Sequence, residues 1–174
     1  MKKSFFLALV ALLILAVGIA SYSAGEKDDK SAWTDPATGL MWQISPTGGG
    51  MNWAHAKTHC EQLNLGGHAD WRLPTIAELR SLIRGCPPTE SGGACETTDS
   101  CTTLDCGKDA CRGCPDHERP TGVCWPGELG GATWFYWSAS PVADTAIYAW
   151  GVHFRVGSVL GDFTALDRLV RCVR

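Results

Sequence analysis

The sequence lacks an excess of positive charge, and this absence excludes one broad class of partner. Its 174 residues include 15 lysines and arginines against 18 aspartates and glutamates, which gives a formal net charge of −3. Proteins that bind nucleic acid or anionic membranes by charge present a basic surface. We therefore expect neither as a partner. Internal repeats and coiled-coil heptads are also missing, which excludes solenoid and rod-like architectures.

Long apolar runs are scarce as well, and the only one lies at residues 5–17, after two lysines and before small residues. This pattern predicts a signal peptide over residues 1–24 and therefore an exported protein, periplasmic, cell-surface or extracellular. Its removal takes away two lysines and no acidic residue, which moves the formal charge from −3 to −5. No cysteine follows the run closely, so a lipoprotein anchor is not expected. An uncleaved membrane anchor is the alternative, although the run is short for a full span.

Cysteine is abundant, and most of the cysteines lie in one segment of the chain. Seven of the nine cysteines lie in residues 86–124, together with seven acidic and three basic residues and almost no large aliphatic ones. Such a segment cannot fold around an apolar core. We interpret it as a disulfide-stapled insertion in a domain over residues 33–174, with a linker at residues 25–32. Its cysteines are Cys86, Cys95, Cys101, Cys106, Cys111, Cys114 and Cys124.

The pairing within the insertion stays open at this stage. Seven is an odd number, so three disulfides leave one cysteine as a thiol, as an intermolecular bridge or as a ligand. Cys111 and Cys114 have the CxxC spacing, which also fits a zinc knuckle or a redox centre. Export to an oxidising compartment favours disulfides over both.

Two helices are predicted before the insertion. Asn52 can cap the first, in which Trp53, Ala56, Cys60 and Leu63 recur on one face. Thr75 and Glu78 form a capping box for the second, whose buried stripe is Ile76, Leu79 and Ile83, with Gly85 as its stop.

Strands are predicted on both sides of these helices. Residues 40–44 form a first strand, and residues 134–138, 147–155 and 156–163 form the others, the last two as a hairpin. In the 147–155 strand, Tyr148, Trp150, Val152 and Phe154 alternate onto one face. Residues 169–173 are expected to close the domain as a final strand. The sequence thus predicts an α+β fold with two helices on a mostly antiparallel sheet.

Six motifs then suggest a family. They are Thr38–Trp42, Asn52–Ala56 with Cys60 after it, Asp70–Ile83, Tyr136–Ser140, Ala149–Phe154 and Leu169–Arg174. In this order they resemble the bacterial domain known as DUF1566, the C-terminal domain of the Legionella collagen-like adhesin. The resemblance implies a twisted sheet and a fold similar to C-type lectins and formylglycine-generating enzymes. It also implies a disulfide between Cys60 and Cys172, because a bridge joins the same two elements in the lectin-like fold.

The resemblance does not imply a reaction. Formylglycine-generating enzymes use a cysteine pair in the C-terminal part of the domain, where this chain has only Cys172. The calcium-ligand motifs of C-type lectins are missing, and Asp144, Asp162 and Asp167 match no calcium loop. His55 and His59, four residues apart, could hold a metal, but a solvated helix face explains them better. We predict no enzyme, no cofactor and no metal.

The predicted function is that of an exported, non-catalytic binding or adhesion module for a polysaccharide or a surface protein. Trp137, Asp144, Trp150 and Arg155 are the candidate ligand-binding residues, because an aromatic platform with polar neighbours suits a sugar. The arginines could bind sulfated polysaccharides, but ion pairs with Asp70, Glu78 and Asp162 are the simpler explanation. A thiol- or copper-dependent oxidase and a structural envelope protein are the alternatives.

Overall fold

The structure is a computed structural model that describes residues 31–46, 49–115 and 124–174. The predicted signal peptide and most of the predicted linker lie outside these residues. The elements in chain order are β1 (Ala32–Thr34), β2 (Met41–Gln43), α1 (Trp53–Glu61), α2 (Ile76–Arg80), β3 (Phe135–Pro141), β4 (Tyr148–His153) and β5 (Ser158–Phe163). Among the described residues, no helix has the length and apolar character needed to cross a membrane.

Both sheets are antiparallel, which confirms the predicted α+β class. β1 pairs with β2, and β3, β4 and β5 form a three-stranded sheet in that order. The predicted final strand is wrong as a continuous strand. Leu169 bridges Tyr136 of β3, whereas Val173 bridges Trp42 of β2. The segment crosses from one sheet to the other, so neither ladder can continue along it.

The helix starts follow the predicted capping chemistry. The Asn52 side chain accepts the His55 N–H, and Thr75 with Glu78 forms the complete capping box. α2 ends at Arg80 rather than running on to Gly85, because the next amides, those of Leu82 and Ile83, donate three residues back instead of four. The predicted stripe of Ile76, Leu79 and Ile83 is nevertheless fully buried.

Successive side chains of β4 point to opposite faces of the three-stranded sheet, and a hydrophobic core lies on each face. Trp150, Val152 and Phe154 pack with the residues of α2, as the alternation predicts. Ala149 packs on the opposite face with Phe135, Trp137 and the buried residues of α1. The two helices therefore cover opposite faces of the sheet.

The long-range disulfide lies in the α1 core. It joins Cys60 of α1 to Cys172, with the two Cα atoms 5.4 Å apart and 112 residues of separation along the chain. Both cysteines are fully buried. The disulfide thus ties an early helix to the end of the domain.

The cysteine-rich segment is held by three further disulfides, Cys86–Cys114, Cys95–Cys111 and Cys101–Cys106. The ninth cysteine, Cys124, is buried and takes no part in these four bridges. Cys111 and Cys114 of the CxxC motif thus bond to two different partners.

Arg80 of α2 anchors the same segment. Its guanidinium is buried and donates to the backbone carbonyls of Thr89, Glu90 and Thr97. Removal from water lowers the pKa of Arg80. Buried polar groups need hydrogen-bond partners, and here a single side chain supplies donors for three backbone carbonyls in a segment with almost no large aliphatic residues.

Candidate functional site

The four predicted ligand-binding residues do not form one surface. Trp137 and Trp150 are fully buried, in the cores on opposite faces of the sheet. Each indole N–H donates to a backbone carbonyl, that of Met51 at 3.0 Å and that of Thr102 at 2.8 Å. The predicted surface site is therefore wrong, because side chains on adjacent strands share a face only when the pairing register places them there.

The two polar members of the predicted set lie apart as well. The Asp144 carboxylate is exposed and accepts the Leu104 N–H, which fastens the cysteine-rich segment to the loop after β3. The Arg155 guanidinium lies 5.8 Å from the ring centre of Trp134. Asp144 is therefore a structural contact, and only Arg155 lies near the surface described next.

An open cleft of about 730 Å³ lies on the α1 face of the three-stranded sheet. The described residues lining it come from the stretch before α1, the start of β3 and the residues before it, the end of β4, β5 and residues 167–169. Its most prominent side chains are those of Trp134, Phe135, His153, Leu160, Asp162, Asp167 and Arg168. We call this feature the β5 cleft.

Trp134 and His153 form one side of the β5 cleft. The Trp134 side chain is 56% exposed, and the His153 ring meets it edge to face with 5.3 Å between ring centres. Desolvation lowers the pKa of His153, and the positive charges of Arg155 and Arg168 lower it further. His153 is therefore neutral at pH 7.

Asp162 and Arg168 form the other side. The Arg168 Nε donates to the Asp162 carboxylate at 2.7 Å, and Nη1 donates to the Asp167 carbonyl at 3.0 Å. These bonds use two of the five guanidinium N–H groups. A half-buried carboxylate and guanidinium thus present an acceptor and donors side by side at the cleft.

The Phe135 ring lines the cleft and packs directly against Gly151 of β4. A Cβ atom on Gly151 would lie 2.4 Å from Phe135 Cε1 and 2.4 Å from the Tyr136 carbonyl oxygen. The Arg168 guanidinium lies 5.7 Å from the centre of the same ring. Gly151 therefore allows the close approach on which the shape of the cleft depends.

Replacing Gly151 by alanine is expected to cost about 1–3 kcal/mol of unfolding free energy, because the new methyl group must displace both a ring and a backbone carbonyl. Urea unfolding measures this cost. Gly127→Ala is the matched control, since a Cβ atom there meets nothing within 4 Å. Equal stability of the two variants would contradict the assigned role of Gly151.

Arg171 holds the backbone behind the cleft. It is fully buried and donates to the carbonyls of Gln43, Ile44 and Gly130 at 2.5–2.6 Å. Its guanidinium lies 4.9 Å from the ring centre of Trp125. Burial lowers the pKa of Arg171. Because Gly130 immediately precedes the stretch that carries Trp134, Arg171 is a positioning residue for this side of the cleft.

Other arginines follow the predicted ion pairs. Arg72 contacts Glu78 at 2.6 Å, Arg168 contacts Asp162, and Arg174 contacts Asp70 at 2.7 Å. Arg80 and Arg171 do not follow this prediction, since both are buried against carbonyls. In the described part of the chain, no group of three or more histidine, cysteine or acidic side chains is arranged to hold a metal ion.

One pattern in the sequence could have been used to predict part of the cleft, but our sequence analysis did not use it. The hairpin turn at residues 154–157 pairs His153 with Ser158 and Val152 with Val159. That register also sets Leu160 opposite Gly151. A turn argument could thus have placed these residues of β4 and β5 together, whereas the pairing of Phe135 with His153 belongs to the separate β3–β4 register, and Arg168 reaches the cleft only through the tertiary path of the C-terminal segment.

Comparison with protein families shows which family the chain belongs to. The family model described as the Lcl C-terminal domain matches residues 31–174. This protein belongs to the Lcl C-terminal domain family. The match runs through the cysteine-rich segment and includes every residue of the β5 cleft. A search of curated protein sequences finds no match to the chain. Four disulfides in a member of this family are typical of an exported protein.

Proposed function

We propose that this protein is an exported, non-catalytic binding module of lectin-like fold that recognises a glycan in the β5 cleft. The observation that carries the proposal is the composition of the cleft. An exposed indole stands opposite a half-buried carboxylate and guanidinium. Aromatic faces pack on the apolar faces of sugar rings, and charged groups with fixed positions bond their hydroxyls.

The cysteine chemistry supports a binding role over the oxidase alternative. Cys172 is joined to Cys60 in the α1 core, so its sulfur is committed to the architecture. A nucleophilic cysteine works as an accessible thiolate, whereas Cys124 is fully buried. We propose a lectin-like fold because the Cys60–Cys172 disulfide joins α1 to the C-terminal segment. The family resemblance led us to expect this disulfide.

Replacing Trp134 by alanine is expected to weaken glycan binding at least about tenfold, because it removes the only large exposed ring among the described residues that line the cleft and leaves the backbone unchanged. Binding is measured on a glycan array and quantified by calorimetry with the polysaccharide that gives the strongest signal. Ile147→Ala is the matched control, since the Ile147 side chain is also 56% exposed and does not line the cleft.

Two outcomes would contradict the proposal. One is the absence of any glycan ligand for the oxidised protein. The other is a ligand whose affinity is the same for wild type and Trp134→Ala, which would place recognition on another surface.

A further inference from the structure

We infer that the β5 cleft takes a neutral glycan, recognised through its hydroxyl groups, rather than a sulfated or carboxylated one. This inference rests on the proposed function and specifies its ligand class. The charges that line the cleft carry the argument, since they decide between a ligand bound by charge and a ligand bound by stacking and neutral hydrogen bonds.

The lining contains more negative than positive charge. Asp162 and Asp167 contribute two carboxylates and Arg168 one guanidinium, so the described lining has a formal charge of −1 with His153 neutral. Arg155, outside the lining, brings a second positive charge to Trp134. The net charge around the cleft is therefore close to zero, whereas proteins that bind sulfated chains concentrate positive charge at the site.

Arg168 is already engaged with a carboxylate. Its Nε atom lies 2.7 Å from Asp162 Oδ2, and the Asp162 side chain is 23% exposed. A sulfate bound to the remaining N–H groups of Arg168 would stand beside the half-buried Asp162 carboxylate, and such a juxtaposition of like charges is costly. A hydroxyl avoids that cost, because it can donate to the carboxylate and accept from the guanidinium at the same time.

The apolar part of the cleft suits the carbon-bound face of a sugar. Trp134 and Leu160 are 56% and 41% exposed, and the Phe135 ring also lines the cleft, 5.7 Å from the Arg168 guanidinium. A pyranose has one apolar C–H face and hydroxyls around its rim. A sugar with that face on Trp134 would present its rim hydroxyls to the same cleft that the Asp162–Arg168 pair lines.

The test uses the oxidised protein and pairs of polysaccharides that share a backbone, including dextran with dextran sulfate and neutral galactan with carrageenan. We expect binding to neutral members, with affinity that does not change as the salt concentration rises from about 0.1 to about 0.5 M, because screening weakens only interactions between charges. Asp162→Asn should lose at least about tenfold in affinity for the neutral ligand. This variant keeps an oxygen that can accept the Phe163 N–H, as Asp162 does.

Asp109→Asn is the control, because it makes the same change of charge at an exposed site outside the cleft. Circular dichroism and the melting temperature verify that each variant is folded. A different result would be binding of the sulfated members alone, which salt weakens and Trp134→Ala abolishes. This result would overturn the inference of a neutral ligand, while the proposed function would stand. If no member of either class binds in a manner that depends on Trp134, both the proposed function and this inference fail.

Discussion

Replacing Cys60 and Cys172 together by alanine is expected to lower the free energy of unfolding by about 4–5 kcal/mol in the chain-entropy account of disulfides. The reason is the length of the closed loop, since 112 residues separate the two cysteines. Alanine is preferred to serine because both sites are fully buried, and a buried hydroxyl would add its own cost. Urea unfolding of the otherwise oxidised protein measures the change.

The short bridge Cys101–Cys106 provides the internal comparison. It spans only five residues along the chain, so the same account predicts a loss of about 2 kcal/mol for its double alanine variant. Equal losses for the two pairs would show that loop length does not govern the stability of this domain. A long-bridge variant as stable as wild type would remove the role we assign to the Cys60–Cys172 link.

Replacing Arg171 by methionine is expected to cost about 3–5 kcal/mol, because the carbonyls of Gln43 and Gly130 lose the buried guanidinium donor and that of Ile44 keeps only the Gly130 N–H. Lysine at the same position should recover only part of this loss. The three N–H groups of an ammonium all sit on one nitrogen atom, which cannot occupy both positions from which Nη1 and Nη2 donate, toward Ile44 and toward Gly130. Thermal and urea unfolding measure both variants.

Arg174→Ala is the control for Arg171, because Arg174 forms an exposed ion pair with Asp70 in the same C-terminal segment. Exposed ion pairs contribute little to stability, so the unfolding midpoint should hardly change. A methionine variant of Arg171 as stable as wild type would mean that water or rearranged backbone satisfies the three carbonyls. Arg171 would then not hold this side of the cleft.

Local patterns in the sequence predicted the elements of this fold well, because their causes are local. The capping box at Thr75 and Glu78 and the alternation along β4 both depend on residues only a few positions apart. The end of α2 and the final strand were predicted less well. The end of α2 reflects a local change to bonds three residues back, which the apolar spacing does not reveal. The final strand depends on partners distant in sequence, since Leu169–Val173 crosses between two sheets.

The ligand-binding residues were predicted poorly for the same reason. Composition made Trp137 and Trp150 attractive, but only the register shows that they lie on opposite faces of the sheet and are buried. The exposed tryptophan is Trp134, one residue before β3. Its neighbours at the cleft come from β4, β5 and the C-terminal segment, and no pattern within a single stretch of sequence connects them.

The indole N–H signals in the NMR spectrum offer the most direct test of recognition in the β5 cleft. The oxidised protein is titrated with the neutral polysaccharide, and the Trp134 signal is assigned from its loss in Trp134→Phe. The signal of Trp134 is predicted to shift with ligand concentration, while those of the buried Trp42, Trp137 and Trp150 stay in place. Saturable binding that leaves the Trp134 signal unmoved would contradict the account.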